Sequence, residues 1–229
     1  MEPSRRMNTT GLRPLRAAGA RNLLQDRAYD DLKRRIQSGE FVSGTFLSER
    51  RLARDLGMSK TPIRSALVRL DIEGFVSVSP QQGIVVREPT LQEIVDLFDI
   101  RAALEAFVVR RIAGRLSPAH KAQLKRNLRD QSEASKKGDE AALTLLDTDF
   151  HCLLCSFLGN VEIERVMWQL RDKLHRVILR VMRQVPGRTK TAFQEHAAIA
   201  EAVIRGRGDE AAARIEKHLE FGKKYLISR

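Results

Sequence analysis

The chain has 229 residues, 42% hydrophobic and only 5% aromatic, which is enough apolar material for one or two packed domains and argues against global disorder. The reliance on Leu, Ile, Val and Ala favours helices over a β-sandwich. Lys and Arg total 41 against 29 Asp and Glu, a net charge of +12, which points to an acidic partner only where the surplus is local.

Residues 1–22 carry five Arg and one Glu without periodicity and read as a disordered basic tail. They lack the apolar core of about 7–15 residues that a secretory signal needs. No apolar run in the chain reaches the roughly 18 residues of a membrane helix. Cys152 and Cys155 lack a second Cys pair to complete a zinc site. They read as ordinary core and surface thiols of a cytoplasmic protein.

Leu24, Ala28, Leu32 and Ile36 share one face of a first helix, over 24–38, stopped by Gly39. After a turn at Phe41–Gly44, Ser48 caps a second helix whose apolar face is Leu52, Ala53 and Leu56, with Gly57 as its stop. Ser59 caps a third, with Pro62 in its first turn and a stripe of Ile63, Ala66, Leu67 and Leu70. Extended runs Phe75–Val78 and Ile84–Arg87 flank a hairpin turn at residues 79–83. Two helices joined by a tight turn and followed by a hairpin make a winged helix-turn-helix over residues 23–88. Pro89 marks the boundary.

From Thr90 onward the pattern is helical throughout, with six helices at about 91–115, 118–135, 139–158, 161–185, 190–205 and 208–227. Their breaks fall at Pro118, Gly138, Gly159, Gly187 and the Gly206–Gly208 stretch. The expected fold is mainly α, with an antiparallel six-helix bundle over residues 89–229.

In a helix-turn-helix the second helix enters the major groove with its N-terminal residues. Here those residues are Ser59, Lys60, Thr61 and Arg64, opposite the apolar stripe. Lys and Arg suit guanine edges or phosphates. Arg50 and Arg51 open the preceding helix, where phosphate contact is expected, and Gln82 and Gly83 form the wing tip. Residues 41–70 hold six basic residues against two acidic ones. A solvated basic face without a target is the bland alternative.

The stretch from Phe41 to Leu67, with Leu70, Glu73–Val76 and Gly83–Val86, closely resembles the GntR family of bacterial transcription regulators. The helical remainder resembles the FCD effector domain of the FadR subfamily, in its six-helix form. The resemblance spans about residues 23–227. It implies a homodimer on a palindromic operator, with DNA contacts from Arg50, Ser59, Lys60, Thr61, Arg64 and Gly83. Lys60 stands where Arg is common, which loses a bidentate fork. Ser65 stands where Glu is common.

The third bundle helix has an apolar stripe of Leu143, Leu146, Phe150, Leu154 and Leu158. Asp147 and His151 lie within it at i and i+4. His196 and His218 lie on the stripes of the fifth and sixth helices. A buried carboxylate needs a partner or a metal, and such residues can converge on one ion in a bundle. A lone inward His is more often a hydrogen-bonded core residue. The four positions match the metal ligands of similar FCD domains, so the resemblance implies a divalent metal held by Asp147, His151, His196 and His218. Three imidazoles and a carboxylate suit Zn²⁺, Ni²⁺, Mn²⁺ or Fe²⁺. Arg101 and Glu105 sit on the inward stripe of the first bundle helix. They read either as a packing ion pair or with Arg101 gripping the carboxylate of a small organic acid effector. The expected function is a DNA-binding transcription regulator, not an enzyme. A metalloenzyme with a DNA-binding appendage and a regulator with a purely structural metal are the alternatives.

Overall fold

The computed structural model describes residues 16–79 and 83–228, with side chains described from residue 23. The chain divides into two compact units between Glu88 and Pro89.

The first unit contains α1 (Arg16–Gln37), β1 (Phe46–Leu47), α2 (Glu49–Asp55), α3 (Lys60–Ile72), β2 (Val76–Ser79) and β3 (Gly83–Val86). Leu32 and Ile36 of α1 pack with Ile63, Leu67 and Leu70 of α3 and with Phe75 and Val76, all buried. The Ser48 hydroxyl accepts the Arg51 N–H at 3.4 Å and caps α2. Gly57 takes φ +61°, a conformation that disfavours any side chain, and this turn brings α3 back across α2. The hairpin pairs Val76 with Val86 and Ser79 with Gly83. Pro80, Gln81 and Gln82 lie outside the described residues.

Three expectations need correction. The sequence pattern predicts an irregular tail through residue 22, yet α1 begins at Arg16; Ala17, Ala18 and Ala20 are strong helix formers that extend an already nucleated helix. Strand β1, unforeseen, pairs Phe46 with Val85 and Leu47 with Ile84, making a three-stranded sheet of order β1-β3-β2. Ser59 occupies the N-cap position of α3 but makes no side-chain capping bond.

The second unit is helical: α4 (Leu91–Ile112), α5 (Pro118–Lys137), α6 (Glu140–Ser156), α7 (Val161–Gln184), α8 (Arg188–Ile204) and α9 (Gly208–Ile227). Thr90 and Glu93 form a reciprocal capping box at the start of α4. Helix α9 lies close against α4 because two of its residues lack side chains. A Cβ on Gly208 would come within 3.1 Å of the Arg110 Cα, and one on Gly222 within 3.2 Å of the Phe98 ring. That approach sets His218 of α9 beside the inward face of α4. Helix α6 is buried on several faces, from Leu143 through Phe150 to Leu154. Cys152 and Cys155 are therefore both buried and free, and neither is a surface thiol. None of the described helices is long and apolar enough to cross a membrane.

Candidate functional site

Asp147, His151, His196 and His218 come together from three helices in the buried centre of the bundle. One potential ligand atom from each lies within 4.8 Å of every other. The Nε2 atom of His218 is 3.3 Å from Nε2 of His151 and 3.2 Å from Nε2 of His196. Asp147 Oδ1 is 3.5 Å from His196 Nε2. Donors spaced around one cation at bond lengths of about 2.1 Å stand about 3.0–3.4 Å apart, so the spacing fits a shared ion.

The opposite ring nitrogens explain the orientation. Nδ1 of His151 meets Glu105 Oε2 at 2.5 Å, Nδ1 of His196 meets Gln131 Oε1 at 2.8 Å, and Nδ1 of His218 meets Glu195 Oε2 at 2.7 Å. Each acceptor oxygen favours the tautomer with hydrogen on Nδ1 and leaves the Nε2 lone pair facing the centre. Three lone pairs so placed repel one another without a cation. The Phe150 ring stacks on His196 at 4.3 Å and fixes its plane.

Burial holds all three imidazoles well below their usual pKa of 6.5, so they are neutral and able to ligate. Burial also pushes the Asp147 carboxyl up to about 6, against the pull of Arg101 and Arg188. These shifts oppose each other in their effect on stability. Between pH 6.5 and lower values, unfolded imidazoles take protons that the folded ones refuse, so stability falls on acidification. Asp147 holds a proton in the folded state between its ordinary 3.8 and about 6, so its contribution falls as pH rises through that window. Three imidazoles outweigh one carboxyl. The melting temperature of metal-free protein is expected to drop as the medium is taken from neutral to mildly acidic, through the range below the ordinary imidazole pKa of about 6.5; a rise over that range would contradict this.

Arg101 and Glu105 do form an ion pair, Nε to Oε1 at 2.8 Å, with both groups buried. Glu105 thus links Arg101 to His151. The pair does not use up the guanidinium: Arg101 Nη2 is buried with no hydrogen-bond partner. Arg101 lines a cavity shared with Asp147, Arg188 and His218, walled by Ile178 and Met182. Arg188 Nη1 reaches Glu195 at 2.8 Å, and its Nη2 lies 3.2 Å from His218 Nδ1. Gln131, Arg188 and Glu195 were not foreseen. Of the remaining histidines, His120 stacks on Phe157 at 4.4 Å and neither it nor His175 joins the cluster.

In the first unit, Arg50, Arg51, Ser59, Lys60, Thr61, Arg64 and Gly83 are all exposed. Ser59, Lys60, Thr61 and Arg64 occupy the N-terminal turn region of α3, opposite its buried Ile63 and Leu67. Gln82 lies outside the described residues. Glu49 at the start of α2 grips Arg64 with both oxygens, Oε1 to Nε at 3.0 Å and Oε2 to Nη2 at 2.8 Å. This bond holds the Glu49 carboxyl below its usual pKa and aims the guanidinium.

Residues 24–86 match the bacterial regulatory proteins of the gntR family, and residues 96–221 match the FCD domain. The chain is 28% identical over 184 residues to the Nta operon transcriptional regulator of Aminobacter aminovorans, covering 80% of this chain and 85% of that protein. It is 25% identical over 200 residues to the HTH-type transcriptional repressor RspR of Escherichia coli (strain K12), covering 86% of each. The fold is shared with a GntR regulator from Rhodococcus sp. RHA1, with a TM-score of 0.79 at 22% identity over 89% of this chain and 97% of that one. It is also shared with E. coli McbR/YncC, with a TM-score of 0.77 at 22% identity over 90% and 97%.

Proposed function

The chain belongs to the GntR family of bacterial regulatory proteins and carries an FCD domain, and from that premise we propose that it binds a palindromic operator as a homodimer, with affinity set by a small carboxylate bound beside a divalent metal. It is a DNA-binding transcription regulator. In the proposed reading, Arg50, Arg51, Ser59, Lys60, Thr61, Arg64 and the wing tip at Gln82 and Gly83 meet the duplex. Arg64 reads a base edge and Arg50 and Arg51 hold phosphates.

The observation that carries the control element is the cluster of three converging Nε2 atoms and Asp147 beside the unpartnered Nη2 of Arg101. Asp147, His151, His196 and His218 would hold the ion, which supplies a Lewis-acidic positive charge to an effector's carboxylate. Arg101 binds the same carboxylate through its spare donor. Arg188, also buried, raises the positive potential of the cavity. The free space there is about 30 Å³, room for about two waters. An organic acid therefore has to displace the side chains of Ile178 or Met182. A ligand that favours that displaced arrangement shifts operator affinity, and operator binding shifts ligand affinity by the same factor.

Two measurements test this. Full-length protein loaded with Zn²⁺, Ni²⁺, Mn²⁺ or Fe²⁺ is screened by thermal shift against small organic and sugar acids. Hits are then added to a binding assay on the DNA upstream of its own gene. At least one acid is expected to raise the melting temperature and change operator affinity about 5- to 150-fold. Binding to that DNA is expected to exceed binding to random duplex and to weaken steeply with salt. If no acid changes operator affinity, the effector reading fails. If that DNA is bound no better than random duplex, the operator reading fails.

A further inference from the structure

The charges gathered around the buried cluster set a rule for what can bind there. Burial keeps His151, His196 and His218 neutral. The groups whose charge acts on Asp147 include Arg101, Arg188, Glu105 and Glu195. Those four form two closed pairs. Arg101 Nε meets Glu105 Oε1 at 2.8 Å, and Arg188 Nη1 meets Glu195 Oε2 at 2.8 Å. Asp147 belongs to neither pair. Three carboxylates thus face two guanidinium groups, which leaves one negative charge in excess. Arg101 and Arg188 hold that excess in the metal-free centre and have no positive charge left over for an incoming anion. The next pair outward, Arg171 with Asp149 at 2.9 Å, is closed as well and adds nothing to the balance.

With a divalent ion on Asp147 and the three imidazoles, the sign reverses and one positive charge is in excess. A single carboxylate matches it. The free positions agree with that number. Arg101 Nη2 is buried without a partner, and one carboxylate has two oxygens, one for the ion and one for this donor. The rest of the cavity is lined by Phe98, Ile178, Val181, Met182, Leu219 and Gly222, none of which has a side-chain donor. A second ionised group would lie there desolvated and unpaired, which is strongly unfavourable.

We infer that the centre selects its ligand by charge: it takes an acid with one ionised carboxylate and an uncharged remainder, and rejects dicarboxylates and phosphate esters of similar size. The inference rests on the effector reading proposed above and narrows its chemical class. The same balance makes binding of the acid conditional on the ion.

The test compares diacids with their own half-amides, which keep the shape and remove one charge. Full-length protein loaded with Zn²⁺ is titrated calorimetrically with succinate against succinamate and malate against its half-amides, with formate and acetate as small singly charged probes. Metal content is measured after each titration, because a diacid can strip the ion. The singly charged acids are expected to bind at least about 10-fold more tightly than the diacids, and metal-free protein is expected to bind neither. Glu105→Gln and Glu195→Gln each remove one negative charge, so in each the ratio is expected to move toward the diacid by at least about 10-fold. Glu195 is half-buried, with a side chain 35% exposed, so its replacement keeps the fold even where loss of the buried Glu105 does not. Diacids that bind wild type as tightly as their half-amides overturn the charge rule while the effector reading stands. A folded variant that binds both classes in the wild-type ratio, or singly charged acids that bind equally well without metal, does the same. Binding of neither class, here and in the wider screen of acids, overturns the effector reading and the charge rule with it.

Discussion

Arg64→Ala is expected to lower operator affinity by about 30-fold to 10⁴-fold while leaving the melting temperature almost unchanged. A bidentate arginine–guanine contact gives about 1–3 kcal/mol of discrimination, and a dimer loses it at both half-sites. The fold should barely notice, because the Arg64 side chain is 67% exposed and its bond to Glu49 lies on the surface, where solvent screens an ion pair. Two companion variants separate reading from anchoring. Glu49→Gln removes the oxygen pair that aims Arg64 and also a negative charge near the duplex, so the ratio of operator to random binding should fall with little loss of random binding. Arg50→Ala and Arg51→Ala should weaken both kinds of duplex alike and flatten the salt dependence, by about one unit of slope for each phosphate that the protein no longer neutralises. An Arg64→Ala protein that still prefers the operator as wild type does would remove Arg64 from the reading surface.

The parts of the molecule that sequence pattern made legible were those encoded within one helix or one turn. The third helix was readable because Ile63, Leu67 and Leu70 keep a helical period between Ser59 and Gly74. The four clustered residues were readable because each is polar inside an otherwise apolar stripe, as Asp147 and His151 are between Leu143 and Leu154. What holds the imidazoles was not readable. Gln131 is fully buried against His196, but it lies in a helix rich in polar residues, where one more amide carries no signal. Arg188, just ahead of the expected fifth helix, and Glu195 within it carry no signal in the sequence until the bundle brings them to His218. Strand β1 has two residues, too few to show alternation, and exists only because β3 supplies its hydrogen bonds. The boundary of α1 was missed for a related reason: propensity extends a helix beyond the last residue whose burial marks it.

If Asp147, His151, His196 and His218 hold a divalent metal as proposed, removing it is expected to lower the melting temperature of the full-length protein by about 10 °C at neutral pH. The centre concentrates three neutral imidazoles and a carboxylate in a buried core. A cation is the species that satisfies all four inward-facing atoms at once. At a free metal concentration about 1,000 times Kd, binding to the native state alone adds about 4 kcal/mol, and a chain of this size shifts by about 2–4 °C per kcal/mol. The metal-free state is not left with an uncompensated charge at neutral pH, since Arg101 and Arg188 act on the ionised Asp147 carboxylate, and the carboxyl takes a proton as the pH falls through about 6. Chelation should therefore weaken the bundle rather than abolish it, and metal affinity should fall as the pH drops through about 6, where a proton competes for Asp147. His196→Ala removes a ligand and should abolish the metal-dependent part of the melting temperature. Gln131→Ala leaves all four ligands in place and removes only the oxygen that fixes the His196 ring, so it should cost about 10- to 100-fold in metal affinity with the metal still bindable at high concentration. That graded pair distinguishes a metal centre from a cluster of hydrogen-bonded core histidines. In the latter case chelator and metal leave the melting curve unchanged, and Gln131→Ala and His196→Ala destabilise the protein equally whether metal is present or not.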